Sequence, residues 1–239
     1  MPPREAALFA IEQLVLAKYH MTRQVYAHRV RVITDNMVVR GTSIAAQSNP
    51  QIRRVFAYDG TSKYLERYLQ IDDAKILGML LASNSSKARS IFERIKYRRL
   101  FKEVVLIPID RSIADPTLRD KLGRINDSPR LLTRLQYKIS SAIGCRPWEV
   151  IINKKNIKNP AYYPPGGLDP STIEIIDREK RIKQLNDFEQ EIAAAKVPSI
   201  DRVHVIAPVD RKTRESLSNY RKRRKQLEHR IKKLVFESL

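Results

Sequence analysis

The stretch from Arg4 to about Ala46 contains no proline, and its only glycine is Gly41. Apolar side chains recur along it every three or four residues, which places them on one face of an α-helix. The N-terminal part of the chain is therefore predicted to be helical. The residues that carry this pattern are Leu8, Ile11, Val15, Tyr19, Val30, Ile33 and Met37.

Helical spacing continues to about residue 99, and the pattern changes after Lys102. Helices are predicted over 50–68, from an N-cap at Asp72, and over 87–99. Apolar, β-branched runs then predict strands at 104–109, 150–153 and 203–208. Helical spacing predicts helices at 115–123 and 129–143 and from Ile182 to Ile192. Residues 159–167 are rich in proline and glycine and are predicted to form a loop. The predicted fold class is mainly α, with a helical part at 1–106 followed by a small α+β lobe at 107–239 that ends in a basic helix.

The charge of the chain predicts an anionic partner. The sequence has 239 residues, with 46 Lys and Arg against 26 Asp and Glu, and a net charge of +20. The excess is +10 over 1–102, +2 over 103–210 and +8 over 211–239, so it lies at the two ends. Nucleic acids, nucleotides and other phosphate compounds suit such surfaces. The single cysteine, Cys145, excludes an intrachain disulfide, and no apolar run reaches 18 residues, so we expect a soluble cytoplasmic protein.

No reaction centre stands out in the sequence. The four histidines, His20, His28, His204 and His229, have no metal-ligand spacing among them. Phosphate-binding loops, dinucleotide fingerprints and nucleophile elbows are missing from the sequence. The adjacent carboxylates Asp72 and Asp73 are better explained as the start of a helix than as metal ligands.

The segment from Leu14 to Arg31 combines basic, aromatic and apolar side chains. On a continuous helix, Lys18 and Arg29 would lie within about 20° of each other, and Tyr26 would lie about 60° from Arg29 and about 200° from His28. Such a helix could present two polar sites on two faces. A surface helix with solvated bases explains the same spacing.

A second basic stretch runs from Ile91 to Val104. Arg94, Arg98 and Lys102 follow at intervals of four residues, so a continuous helix would align them on one face. That arrangement suits a phosphate clamp, and it equally suits a solvated basic face.

Four short segments, in their order and spacing, resemble one known family. They are LAKYHM at 16–21, VYAHR at 25–29, LQIDDA at 69–74 and YRRLFK at 97–102. Together they resemble the C-terminal half of HD-domain deoxynucleoside triphosphate (dNTP) triphosphohydrolases, the family of bacterial dGTPase-like enzymes and of the SAM-and-HD-domain dNTPase of animals. The resemblance covers about residues 8–106.

The resemblance implies roles for individual residues. Lys18 falls where the family commonly has an arginine on the substrate triphosphate, and Tyr26 matches a tyrosine under the deoxyribose. His28 and Arg29 match a pair that lies at an allosteric nucleotide site between subunits in regulated members. Arg98 and Lys102 match basic residues that reach the same effector site.

The resemblance also implies a cofactor and a partner. The family's divalent metal is held by a split H…HD…D set of ligands on helices that precede the matching region, and nothing in this sequence supplies them. The missing half would come from an HD-domain-bearing chain or from an N-terminal half, and the complete enzyme would be an oligomer that converts a dNTP into a deoxynucleoside and tripolyphosphate.

A non-catalytic basic protein that binds nucleic acid or acts as a scaffold is the alternative. Its support is the run of Arg221, Lys222, Arg223, Arg224 and Lys225 in the predicted C-terminal helix. Five adjacent bases spread over all faces of a helix, so a solvated helix end explains them as well.

Overall fold

A computed structural model describes residues 10, 13–14, 16–18, 20–110, 112–157, 174–176, 182–184 and 200–239. Most of these residues are helical, and a small three-stranded antiparallel sheet accompanies the helices. The predicted fold class, a helical part with a small α+β lobe, is confirmed. No described helix is both long and apolar enough to cross a membrane.

The chain divides into two compact units, each built from separate segments. The first unit comprises Met1–Arg31, Pro108–Gly123 and Lys154–Val203, and the second comprises Val32–Ile107, Arg124–Asn153 and His204–Leu239. The domain boundary predicted between residues 106 and 107 stays a prediction.

Most of the helices and strands follow the predicted order. The α-helices after residue 28 are α1 (Arg29–Ser48), α2 (Pro50–Phe56), α3 (Ser62–Leu69), α4 (Asp73–Leu81), α5 (Ser86–Lys96), α6 (Pro116–Gly123), α7 (Pro129–Ile143) and α8 (Leu217–Phe236). Short 3₁₀ turns cover Ile125–Asp127 and Pro147–Glu149. The strands are β1 (Lys102–Pro108), β2 (Ile151–Ile157), β3 (Glu174–Ile176), β4 (Ile182–Gln184) and β5 (Ile200–Ala207). The larger sheet has the order β1-β5-β2.

Side-chain caps fix where most of these helices begin. Each cap accepts a hydrogen bond from a backbone N–H in the first turn, which satisfies a donor that has no partner inside the helix. Asp72 caps α4 in this way, as predicted, by accepting from the Lys75 N–H at 2.7 Å. The other caps are Asn49 for α2, Thr61 for α3, Ser85 for α5, Ser128 for α7 and Ser216 for α8.

The core of the second unit joins α1 and α5 to the sheet. One buried cluster contains Ile33 and Met37 of α1, Ile91 of α5, Phe101 just before β1, and residues of β2 and β5. The only glycine of α1, Gly41, lies against Phe92, and a methyl group at Gly41 would come within 2.7 Å of the Phe92 ring. Gly41 therefore allows α1 to pack closely on α5.

The first unit contains α6 and a small hairpin. β3 and β4 pair antiparallel, with Glu174 opposite Gln184 and Ile176 opposite Ile182. At the start of β5, the Asp201 carbonyl accepts from the Ile109 N–H at 2.8 Å, and the Asp201 carboxylate pairs with Lys154 at 3.2 Å.

Two predicted helices differ from the structure. The helix predicted from Ile182 is wrong at its start, because Ile182–Gln184 is strand β4. Its continuation from 185 to 192 and the loop at 159–167 lie outside the described residues. The helix predicted over 87–99 ends at Lys96, because the backbone becomes left-handed at Arg98.

Candidate nucleotide-contact residues

A π-helical turn, Thr22–Tyr26, interrupts the N-terminal helix. The Ala27 N–H donates to the Thr22 carbonyl at 2.8 Å, five residues back, and Thr22 Oγ1 donates to the Lys18 carbonyl at 2.8 Å. Ala27 and His28 then leave the helix before α1 begins at Arg29. The angles predicted between Lys18, Tyr26, His28 and Arg29 required one unbroken helix and are therefore wrong. π-turns inside helices are frequent at functional sites.

The side chain of Tyr26 is half exposed at the end of this turn, with 48% of its surface open to solvent. The Arg31 guanidinium lies 5.3 Å from the centroid of the Tyr26 ring, a cation–π contact. This contact holds the ring on one side and leaves it accessible. An accessible aromatic ring with a fixed orientation is suited to packing against a sugar or a base.

His28 caps α1. Its Nδ1 accepts from the Val30 N–H at 3.3 Å, so in the neutral ring the proton lies on Nε2. The His28 ring is exposed, and so is the Arg29 side chain in the first turn of α1, while Lys18 is half-buried. The cap therefore sets which ring nitrogen of His28 is available to a ligand.

Arg98 ends α5 in a left-handed conformation. Its φ is 53°. The Arg98 N–H donates to the Ile95 carbonyl at 3.1 Å, and the Arg99 N–H donates to the Arg94 carbonyl at 2.8 Å. This pair of bonds is the Schellman arrangement, with Arg98 at the position that most often holds glycine.

The same chain uses glycine for the same purpose at the end of α7. Gly144 has φ 82°, and its N–H donates to the Ser140 carbonyl at 2.8 Å. Arginine at such a position carries a steric cost of roughly 1–2 kcal/mol. The exposed Arg98 side chain makes no hydrogen bond or ion pair within the described part of the chain, so nothing there offsets this cost.

The helix face predicted from Arg94, Arg98 and Lys102 is wrong. The Schellman turn ends α5 between the first two residues, and Lys102 begins β1. Arg94 has a structural role, because its Nη1 pairs with Asp210 at 2.9 Å and donates to the Arg99 carbonyl at 3.2 Å. Arg98 and the half-buried Lys102 thus remain candidates for binding an anion, and Arg94 does not.

The turn between α5 and β1 is strongly cationic. Tyr97 is 59% exposed. The Lys96 ammonium lies 5.5 Å from its ring centroid and the Arg99 guanidinium lies 5.6 Å from it. Together with Arg98, these residues form an exposed cluster of positive charge, with an aromatic ring among the charges. Lys18, Tyr26, His28 and Arg29 belong to the first unit, and Arg98 and Lys102 belong to the second.

The five bases in α8 divide into two groups. Arg223 makes a bidentate pair with Glu215, with both N···O distances at 2.8 Å, and Arg224 donates to the Glu103 carbonyl at 2.7 Å. These two side chains attach the helix to neighbouring segments of the second unit. Arg221, Lys222 and Lys225 are exposed.

The described residues do not fit a catalytic metal. None of them form a group of three His, Cys, Asp or Glu side chains close enough to hold an ion. The buried His204 pairs with the half-buried Glu103, with Nδ1 and Oε2 2.7 Å apart, and this contact joins β5 to β1 without a third ligand among the described residues.

The sequence interpretation missed a small cavity between α2 and α3. Two arginines and two tyrosines line it, together with Gln51, Val55 and Ile71. The signal was present, because Tyr64 and Tyr68 are four residues apart and Arg67 adjoins Tyr68. On one helix, that spacing places Arg67 and Tyr68 each beside Tyr64.

The chain belongs to the HD associated region family, whose sequence profile matches residues 4–162. Its fold is similar to that of a phosphohydrolase from Bacteroides thetaiotaomicron, with a TM-score of 0.54 and 16% identity over 86% of this chain and 51% of that one. It is also similar to a hypothetical protein from Aquifex aeolicus, with a TM-score of 0.52 and 17% identity over 94% of this chain and 46% of that one. This chain spans about half the length of either neighbour. No curated protein matches it.

Proposed function

We propose that this chain is the C-terminal part or subunit of an HD-type dNTP triphosphohydrolase, in which it contributes substrate and effector contacts. Membership of the HD associated region family supports the relation, and one structural neighbour is a phosphohydrolase. In the proposed reaction, water adds at the α-phosphate and the bond to the deoxynucleoside breaks, so the products are a deoxynucleoside and tripolyphosphate. The divalent cation and the residues that bind it would come from the HD-bearing part.

Two residues of the first unit are proposed to contact the substrate. The Lys18 ammonium neutralises negative charge on the phosphates, and as a lysine it does so without the bidentate geometry of arginine. The accessible ring of Tyr26, held by Arg31, packs under the deoxyribose. There its bulk leaves no room for a 2′-hydroxyl group.

As the resemblance implies, His28 and Arg29 of the first unit are proposed to contact effector phosphates, and so, separately, are Arg98 and Lys102 of the second unit. The observation that carries this proposal is the conformation of Arg98. The left-handed turn favours glycine, yet the position holds a guanidinium that has no partner in the described part of the chain. Strained backbone is concentrated at functional sites, where the side chain is needed for binding. A phosphate group would supply the missing partner.

Replacing Arg98 by glycine distinguishes the effect of the backbone conformation on stability from the effect of the guanidinium group on binding. Arg98→Gly relieves the left-handed strain, so we expect the free energy of unfolding to rise by about 1 kcal/mol and Tm to rise by about 2–4 °C. If the guanidinium holds an effector, nucleotide-induced assembly will nevertheless need about 10- to 100-fold more nucleotide. The measurement is oligomer mass by light scattering against dGTP concentration, on the chain together with its HD-bearing part.

Arg214→Gly is the matched control. Arg214 is exposed and also has a positive φ, of 65°, so its replacement gives a similar gain in stability. The assembly curve of Arg214→Gly should coincide with that of the wild type. Coincidence of the Arg98→Gly curve with the wild-type curve would contradict the effector role.

A further inference from the structure

The cavity between α2 and α3 has a volume of about 190 Å³ and opens to solvent. Seven residues of the second unit line it, and none of them was predicted from the sequence to contact a nucleotide: Gln51, Arg54, Val55, Tyr64, Arg67, Tyr68 and Ile71. Pockets that enclose drug-sized molecules have volumes of about 300–1,000 Å³. This cavity is therefore suited to one planar ring system, with the rest of a ligand outside.

Stacked tyrosines give the cavity a flat aromatic wall. The buried Tyr64 donates its hydroxyl to the Val55 carbonyl at 2.7 Å, which ties α3 to α2. The Tyr68 ring stacks on Tyr64 with centroids 5.8 Å apart and an interplanar angle of 15°, and Tyr58 approaches Tyr64 edge-on at 5.2 Å. Because Tyr64 fixes the orientation of Tyr68, and Tyr68 is 52% exposed, a stacking surface is already formed.

Two guanidinium groups supply positive charge beside this wall. Arg54 is exposed and has no carboxylate within ion-pair distance in the described part of the chain. Arg67 donates through Nε to the Lys63 carbonyl at 3.1 Å, and its Nη2 lies 3.6 Å from Asp59. An exposed ion pair of that length contributes little, so a phosphate can compete with Asp59 for Arg67.

We propose that this cavity is a binding site for a nucleotide. The base stacks on Tyr68 inside the cavity, and the phosphates lie at its mouth, where Arg54 and Arg67 bind them. A flat aromatic wall with two adjacent guanidinium groups matches the two parts of a nucleotide, whereas a free phosphate would use only the arginines. The site does not depend on the proposed hydrolysis, and ligand binding there requires only the second unit's own residues.

The test is calorimetric titration of the chain with ATP and, separately, with inorganic tripolyphosphate. Tyr68→Ala is expected to weaken ATP binding about tenfold and to leave tripolyphosphate binding unchanged, because only the base stacks. Tyr68→Phe retains the ring and should bind ATP as the wild type does. Arg54→Ala is expected to weaken the binding of both ligands about tenfold.

Arg89→Ala is the matched control, because it removes an exposed arginine from α5 without touching the cavity. It should change the affinity for neither ligand. The proposal is overturned if the chain does not bind ATP, if the loss of ATP binding follows Arg98 and not Arg54, or if Tyr68→Ala and Tyr68→Phe behave alike. If the chain binds single-stranded DNA more tightly than ATP, and this affinity increases with oligonucleotide length, the proposal is overturned in favour of a nucleic-acid-binding surface.

Discussion

Tyr26 is the residue on which the proposed choice between deoxyribonucleotides and ribonucleotides depends. Its ring is half exposed and is held on one side by Arg31. In the assembled enzyme, we expect Tyr26→Ala to lower the ratio of kcat/KM for dNTP over that for rNTP by about 10- to 100-fold, because the space for a 2′-hydroxyl is then open. Tyr26→Phe keeps the ring and should keep the ratio. An unchanged ratio in Tyr26→Ala would mean that Tyr26 does not lie under the sugar.

Cys145 illustrates how its surroundings set the reactivity of a single side chain. Burial, with a smaller contribution from the negative charge of Glu149, raises the pKa of the Cys145 thiol from 9.0 to about 11. At pH 8 the thiolate is then about 100-fold scarcer than for an ordinary thiol. We expect the rate of alkylation by iodoacetamide to rise about tenfold per pH unit from pH 8 to pH 10. A plateau near pH 9 would contradict this pKa.

The sequence could predict these residues only in part. The resemblance singles out Tyr26, His28 and Arg98 as candidates, and their roles stay predictions, since spacing alone also suits a solvated surface. The conformation of Arg98 was not predictable from spacing. Arg94, Arg98 and Lys102 keep the four-residue spacing of a helix, although the backbone leaves the helix after Lys96. The cap formed by His28 was missed because histidine is not one of the residues that favour the N-cap position.

An ion pair between Arg223 and Glu215 lies at the start of helix α8. The hydrogen bonds from Arg223, followed by the bond from the Lys212 N–H, lower the pKa of Glu215 from 4.5 to about 2. A carboxyl group with a lowered pKa stabilises the fold above its unfolded pKa, and this stabilisation is lost as the pH falls through the folded value. Glu215→Gln should therefore lower Tm at pH 5–7, and the difference from the wild type should shrink from about pH 4.5 down to about pH 2.

Glu228→Gln removes an exposed carboxyl from the same helix and is the control for general effects of acid. Thermal unfolding of the three proteins, followed by circular dichroism from pH 7 to pH 2, makes the comparison. If the Tm difference between Glu215→Gln and the wild type stays constant down to pH 2, the prediction is contradicted, because the stabilisation would then not require an ionised Glu215.

Most elements could be predicted because local signals agree with the packing. Asp72 marks a helix start, and β-branched runs mark the three strands of the larger sheet. The π-turn at Thr22–Tyr26 was not predictable, because the apolar spacing on either side fits an unbroken helix. Strand β4 was not predictable either, since Ile182 also begins a helical pattern and only pairing with β3 decides between the two.

The molecule as a whole is a basic, mainly helical protein of the HD associated region family. Its net charge of +20 suits nucleotides and nucleic acids equally. The structure narrows the nucleic-acid alternative, because Arg223 and Arg224 of the α8 run bond within the chain and leave Arg221, Lys222 and Lys225 exposed. That alternative stays a prediction, with a smaller set of candidate residues.

The central claim is that this chain supplies nucleotide contacts to an HD-type dNTP triphosphohydrolase. The most direct measurement is the release of tripolyphosphate from dGTP in the presence of Mg²⁺ by three preparations, which are this chain, its HD-bearing part, and both together. We predict that only the combination releases tripolyphosphate, with one tripolyphosphate for each deoxyguanosine. We also predict that Lys18→Ala lowers the rate of the combination by the same factor for every dNTP. Hydrolysis by this chain alone, or a combination that is inactive although its two parts associate, would contradict the claim.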